Sequence, residues 1–431
     1  MKFNNYKYKD SGIDWLGNIP ERWKVLKVKY CSDVIMGQSP SSDEYSDDSD
    51  LLPFLQGNAD FTTRYPIPRV YCNSANKRVP KGSILLSVRA PVGALNEADQ
   101  EYGVGRGLCA LIPKSDLHKE YTWFQLHITR VELDSLATGS TYDAVSVDEV
   151  ADMLILVPSK SEQQAIASFL DRETARIDAL IQKKERMIEL LKEKRIALIT
   201  QAVTKGLDPN VPMKDSGIGW LGEVPEHWEV KKLKYLGKSL IGLTYSPEEI
   251  VFEDGTLVLR ASNIQNSTLS LGRDDDVSVV TRIPNKLMVV EDDILICSRN
   301  GSKALIGKAA IIGSEVNATF GAFMTVFRSR FNRFIIWVLH SSMFSSLCSG
   351  YVTSTINQLT QDDLNNISIP LPPDNELKEI TKHLEKESYF IDKLIIKADR
   401  SISLLREYRS SLIHHAVTGK IDLRGYDAQA Q

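Results

Sequence analysis

The chain is short of the features that mark several protein classes. Five cysteines occur in 431 residues, at positions 31, 72, 109, 297 and 348, with no C-x-x-C and no paired spacing. That scatter excludes a disulfide framework or a zinc finger and makes a reducing cytoplasm the expected location. No apolar run reaches the ~18 residues that a bilayer requires, and the polar start MKFNNYKYKD lacks an export signal, so neither a membrane span nor secretion is expected. Neither sign of charge dominates: 52 Lys and Arg against 56 Asp and Glu leave a net charge of −4. This speaks against a uniformly basic nucleic-acid binder, but an acidic exterior with cations confined to a groove remains open.

Catalytic signatures are missing too. There is no G-x-x-x-x-G-K-[ST] loop, no G-x-G-x-x-G opening a βα unit, no H-E-x-x-H, and no Asn-Pro-Pro-Tyr or Asp-Pro-Pro-Tyr motif. GVGRG at 103–107 is glycine-rich, but it lies between strand-like segments rather than ahead of a helix. The seven histidines are isolated except His414-His415, which sit on a helix with one apolar side and read as packed or solvated rather than metal-bound. No metal site and no cofactor of its own are expected. The chain is read as a binding protein, not an enzyme.

What is present is duplication. EQQAIASFLDRETARIDALIQKKERMIELLKEKRIALITQAVTKGLD at 162–208 recurs at 376–422 as ELKEITKHLEKESYFIDKLIIKADRSISLLREYRSSLIHHAVTGKID, a constant offset of 214 residues. Apolar residues fall at Ile177, Ile181, Ile188, Leu191, Leu198 and Ala202, and again at Ile391, Ile395, Ile402, Leu405, Leu412 and Ala416. Steps of four and three along one stripe are the heptad seam of a long helix. So narrow a seam leaves a helix marginal alone, and the obvious partner is its duplicate. Connectivity then sets direction. A compact domain joining the end of one roughly 60 Å helix to the start of the other requires the two to run antiparallel.

The lead-in to each domain is repeated as well: DSGIDWLGNIPERWKVLKVKY at 10–30 and DSGIGWLGEVPEHWEVKKLKY at 215–235, with Trp15, Pro20 and Trp23 matching Trp220, Pro225 and Trp228. These tryptophans are expected to pack in the core. Beyond each lead-in, PFLQGNADF, SILLSVRAPVG and GVGRGLCALIP in one domain, and LVLRASNIQN, DDILICSRNGS, IGKAAIIG and FGAFMTVFRS in the other, read as strands and sharp turns. FNRFIIWVLHSSMFSSLC reads as one amphipathic helix. The expected boundaries are 1–160 for the first domain, 161–206 for its helix, 207–224 for a linker with the repeated lead-in, 225–374 for the second domain, 375–422 for the second helix and 423–431 for a polar tail. The fold class expected is α+β: two mixed α/β domains at opposite ends of a pair of long antiparallel helices, pseudo-twofold, with near-circular connectivity.

Polar side chains suited to base edges and phosphates recur at corresponding places. The candidates are Gln56, Asn58, Arg89, Arg106, Thr141 and Tyr142 in the first domain, and Arg260, Asn263, Arg299, Asn300, Lys303, Thr355 and Asn357 in the second. Arg89 and Arg299 follow matching apolar strands, ILLSVR and ILICSR. On the helices, Lys184 and Arg195 fall on the seam and Arg409 matches Arg195. A structural role between the helices is expected for the arginines, with contact to a partner subunit or a phosphate backbone as the rival reading.

Taken together, the two lead-ins, the two helical copies, GQSPSSDEY followed by PFLQGNADF, SILLSVRAPVG with GVGRGL, and LVLRASNIQ with DDILICSRNG resemble a specificity (S) subunit of a type I restriction-modification system over nearly the whole chain. The resemblance implies that residues 20–160 and 225–372 are target recognition domains and the helices conserved spacers. It implies a noncatalytic subunit that reads a two-part asymmetric target in double-stranded DNA. It further implies two modification (M) subunits, which use S-adenosylmethionine to methylate adenine, and restriction (R) subunits in the full complex. The alternatives are the recognition component of another methyltransferase or phage-defence assembly, and a coiled-coil scaffold that binds proteins only.

Overall fold

The computed structural model describes residues 6–13, 15–137, 144–251, 254–351 and 357–426. Contacts divide the chain into two units, Met1–Lys183 with Ser401–Gln431, and Lys184–Arg400. Each unit therefore holds one domain and a portion of both long helices.

In the first unit, strand β1 (Lys24–Lys27) pairs antiparallel with β8 (Leu154–Val157), closing the domain on its own lead-in. Between them lie β2 (Ser32–Met36), β3 (Pro53–Leu55), β4 (Ile84–Ser87), β5 (Leu95–Glu97), β6 (Tyr102–Val104), β7 (Leu108–Pro113) and helix α1 (Lys119–Ala137). One antiparallel sheet has the order β2-β7-β4-β5, and β3 runs parallel to β6 in a second. Ile84, Leu85 and Leu86 are buried at successive positions, as a strand covered on both faces requires.

The second unit repeats this plan. Strand β9 (Glu229–Lys232) pairs with β16 (Ser368–Leu371). Between them come β10 (Lys238–Ile241), β11 (Thr256–Leu259), β12 (Ile294–Cys297), β13 (Ala309–Ile311), β14 (Ala318–Phe320) and β15 (Met324–Arg328). The order β10-β15-β12-β13 and the parallel pair β11 and β14 match the first unit strand for strand. The apolar stretch expected as one helix is two, Asn332–Leu339 and Ser342–Tyr351. Ser341 causes the break: its Oγ donates to the Val338 carbonyl at 2.6 Å and accepts the Phe344 N–H at 3.4 Å, ending one helix and capping the next.

Two helices dwarf the rest, α2 (Lys160–Lys205) and α5 (Asp374–Val417) when the pair after β15 is counted as α3 and α4. The start of α2 is a capping box. Ser159 accepts the Glu162 N–H at 3.4 Å, and Glu162 accepts the Ser159 N–H at 3.3 Å. In the first unit Arg409 pairs with Asp178 at 2.9 Å, while Phe169, earlier on α2, meets the ring of Tyr426 beyond the end of α5. In the second unit Arg195 pairs with Asp392 at 2.8 Å, while Ile199 and Val203, later on α2, share a core with Ile380 and Leu384. Partner numbers fall as α2 advances, so the helices run antiparallel in each unit. The seam residues Ile177, Ile181, Ile188, Ile391, Ile402 and Leu412 are buried, and Leu191, Leu198, Ile395 and Leu405 are half-buried.

The tryptophans divide into two kinds. Trp23 and Trp228 are buried, but Trp15 and Trp220 are 39% and 38% exposed, which overturns core packing for that pair. Near-circular connectivity appears within the first unit. Tyr8 Oη donates to the Gly419 carbonyl at 2.9 Å, and the Arg424 guanidinium lies 4.3 Å from the Tyr6 ring centroid. The beginning of the chain thus docks on the end of α5. In the second unit the corresponding place is filled by direct succession, where α2 ends and Gly206 packs on Trp228.

Candidate nucleic-acid interface

The same corner is built in both domains, from the ends of three strands. In the first domain, Gln56 follows β3, Arg89 follows β4, and Arg106 lies in the turn Gly105–Leu108 that joins β6 to β7. The turn is closed by the Leu108 N–H on the Gly105 carbonyl at 3.0 Å. The Val88 N–H donates to the Gly107 carbonyl at 2.9 Å, and the Val145 N–H donates to Val88 at 2.8 Å. Arg89 itself bridges to Ala144. Gln56, Arg89 and Arg106 are therefore neighbours, and all three are exposed. Among the described residues neither Arg89 nor Arg106 has an ion-pair partner. Asn58 is half-buried on a short turn whose Asp60 carboxylate accepts the Gln56 N–H at 3.2 Å. Thr141 and Tyr142 lie outside the described residues.

In the second domain Arg260 stands where Gln56 does, after β11. The turn Gly321–Met324, closed at 2.8 Å, replaces Gly105–Leu108, and the Phe323 carbonyl accepts the N–H groups of Ser298 and Arg299 at 3.1 and 3.0 Å. Arg299 bridges to Gln358 as Arg89 does to Ala144. Arg260, Arg299 and Asn300 line one recess of about 520 Å³ with Tyr245 and Phe323. Asn357 joins them through the Asn300 N–H to its carbonyl at 3.4 Å, and its amide donates to Gly301 at 3.0 Å. The Arg299 guanidinium lies 5.3 Å from the Phe323 ring centroid.

Two candidates do not belong to this corner. Asn263 is fully buried, and its amide is consumed by the Ser270 carbonyl at 3.1 Å, Asp276 at 2.6 Å and the Arg260 N–H at 2.9 Å. It shapes the turn that carries Arg260 and has no group left for a base. Lys303 is exposed but lines a different recess of about 690 Å³, with Arg195, Asp392 and Ser388. Thr355 lies outside the described residues. Polar nomination missed Phe323 and Tyr245. The available signal was that GAFM follows a strand just as GRGL does.

Gly37 and Gly242 hold the corner's geometry. A Cβ on Gly37 would collide with the Gly105 carbonyl oxygen, and one on Gly242 with that of Gly321. Only glycine lets β2 and β10 pass this close beneath the turns.

The arginines also resolve. Arg195 bonds to Asp392 and Arg409 to Asp178, and these are the same two positions of the repeat exchanged between its copies. Each thus acts between the helices of its own unit. All five cysteines are buried thiols, with burial pushing Cys297 up to about 11 and Cys109 up to about 12, far from the reactive thiolate. Among the described residues no group of three or more His, Cys, Asp or Glu could hold a metal ion.

A family profile described as the type I restriction modification DNA specificity domain matches residues 20–190 and 225–402. The chain belongs to this family. Among curated members, the type I restriction enzyme MjaIX specificity subunit of Methanocaldococcus jannaschii is 24% identical over 425 residues, covering 94% of this chain and 95% of that one. The StySPI specificity subunit of Salmonella potsdam is 23% identical, covering 94% and 90%. The putative MjaX specificity subunit of M. jannaschii is 35% identical over 204 residues, 46% of either chain. A chain solved in work on complex assembly and conformational transition of the type I R-M system superposes with a TM-score of 0.74, at 15% identity, over 94% of this chain and 99% of its own. The HsdS subunit from Thermoanaerobacter tengcongensis gives 0.52, also at 15%, over 94% and 98%. At that identity the two structures speak for the fold of this specificity-subunit family.

Proposed function

We propose that this chain is the noncatalytic recognition subunit of a cytoplasmic type I restriction-modification complex. Each domain reads one part of a two-part asymmetric DNA target. The paired helices set the gap and dock two modification subunits, which supply S-adenosylmethionine chemistry, and restriction subunits complete the assembly. One observation carries the reading: an equivalent backbone corner presents Gln56, Arg89 and Arg106 in one domain and Arg260, Arg299 and Phe323 in the other. A fixed frame with exchanged side chains is what two different base readouts require. Membership of the specificity-domain family supports the same assignment. No helix among the described residues is long and apolar enough to cross a membrane.

The test is duplex binding by the chain assembled with its modification partner. Methylation-sensitive sequencing of the host genome identifies the target. The complex is expected to retard that two-part site above all others and to weaken steeply with salt. Exchanging residues 20–160 for those of another family member should alter one half of the target only. A scaffold that binds proteins alone would show no sequence preference at any salt, and a change in both halves would contradict separate recognition.

A further inference from the structure

We propose that the second domain takes one nucleobase of its half-target out of the stack and holds it against Phe323, whereas the first domain reads its half as regular duplex. The inference rests on the recognition function proposed above. Phe323 is 59% exposed although its turn is rigid, since its carbonyl accepts two N–H groups and the turn is closed at Met324. A lone exposed aromatic would need no explanation. This one forms a wall of the recess of about 520 Å³ with Leu243 and Tyr245, within the size range of small-ligand pockets. Arg299 supplies positive charge at the recess and already lies over the Phe323 ring, while Arg260, also on its lining, is held by Asp275. An apolar, ring-walled recess flanked by the Arg299 guanidinium fits a flat π system attached to a phosphodiester: the ring stacks, and the cation meets the backbone.

The first domain keeps the equivalent of Arg299, as Arg89, but lacks the ring and the second arginine. Gly107 stands in the place of Phe323, Arg106 in that of Ala322 and Gln56 in that of Arg260. Among the described residues its corner offers hydrogen-bonding groups and no ring to receive a base. Among the described residues the receiving ring is thus present in one domain only, and the extruded base is assigned to that half-target.

The experiment uses the assembled complex and its two-part target, with 2-aminopurine placed singly along both halves. Retardation of the target is measured first. One position in the second half should brighten several-fold on binding, remain dark with Phe323→Leu, and brighten again with Phe323→Tyr. Phe323→Leu should also weaken binding by on the order of tenfold, the loss expected for one base–aromatic stack. The adenine presented for methylation is extruded by the partner enzyme in either half, and its signal should not respond to residue 323. The proposal is overturned if the target is retarded but no position depends on the Phe323 ring. It is equally overturned if the dependent position lies in the first half, or if two adjacent positions brighten together, the mark of a ring wedged between base steps. Absence of any preferred site in the retardation step removes the recognition function itself, and this inference with it.

Discussion

Trp23 and Trp228 each aim an indole N–H at a glutamate in the first turn of a long helix, Glu162 at 3.3 Å and Glu376 at 2.9 Å. Burial raises the Glu162 carboxyl, but hydrogen bonds from Ser159, Tyr6 and Trp23 outweigh it and leave the group below the usual carboxylate range. A carboxyl whose folded pKa lies beneath its unfolded value stabilises the fold above the unfolded pKa, and that contribution disappears as pH falls through the folded one. Glu162→Gln should therefore destabilise the chain near pH 7 and cost progressively less below about pH 4. Urea unfolding from pH 7 to pH 3 measures this, and a pH-independent difference would contradict the ionised pairing. A second residue-scale prediction concerns the corner. Gly242→Ala drives a Cβ into the Gly321 carbonyl and should cost about 1–3 kcal/mol in urea unfolding. Gly57→Ala, with nothing within 4 Å and φ at −174°, should stay within about 0.5 kcal/mol.

At the scale of elements, the seam of the long helices was legible because it is periodic, and periodicity survives without knowledge of contacts. The charged latch beside it was not. Asp178 and Asp392 look like ordinary solvated helix residues until the antiparallel pairing brings Arg409 and Arg195 to them. Their acidic groups are about half-exposed, so each pair should contribute no more than about 1 kcal/mol. Asp392→Arg, which faces Arg195 with a like charge, is expected to lower stability by about that amount, and adding Arg195→Asp should recover most of it. Equal stability of the single and double variants in thermal unfolding would show that the pair is incidental. The helix break at Ser341 was hidden for the opposite reason: apolar periodicity runs straight through it, and only the local serine bonds end the helix. Domain equivalence was half-visible. The offset between matching residues runs from 204 for Gln56 and Arg260, through 210 for Arg89 and Arg299, to 216 for Gly107 and Phe323, so loops of unequal length mask a shared frame. Asn263 was misjudged because a buried turn-forming amide and a base-reading amide look alike in sequence.

At the scale of the whole molecule, duplication does what a symmetric dimer does for other DNA-binding proteins, while letting the halves differ. A palindromic target follows from identical subunits. Here the frame, the two Arg–Asp latches and the arginine pair Arg89 and Arg299 repeat, and the other corner residues do not. On the proposed function, helix length is then the quantity that fixes the gap between half-targets. Removing Lys184–Leu190 together with Lys397–Ser403 takes two turns from each helix and leaves both latches in place. Each helix shortens by about 10 Å at ~1.5 Å per residue. The preferred gap should contract by about 3 base pairs at ~3.4 Å each. Both half-targets should keep their sequence, because neither corner is touched. Three base pairs also rotate one half by roughly 100° about the duplex axis at 10–10.5 base pairs per turn, so the shortened protein should bind its new site more weakly than the parent binds its own. Mapping methylated sites in cells carrying the variant reads the gap directly. An unchanged gap would remove the helices from the role of ruler and leave recognition by the two domains standing.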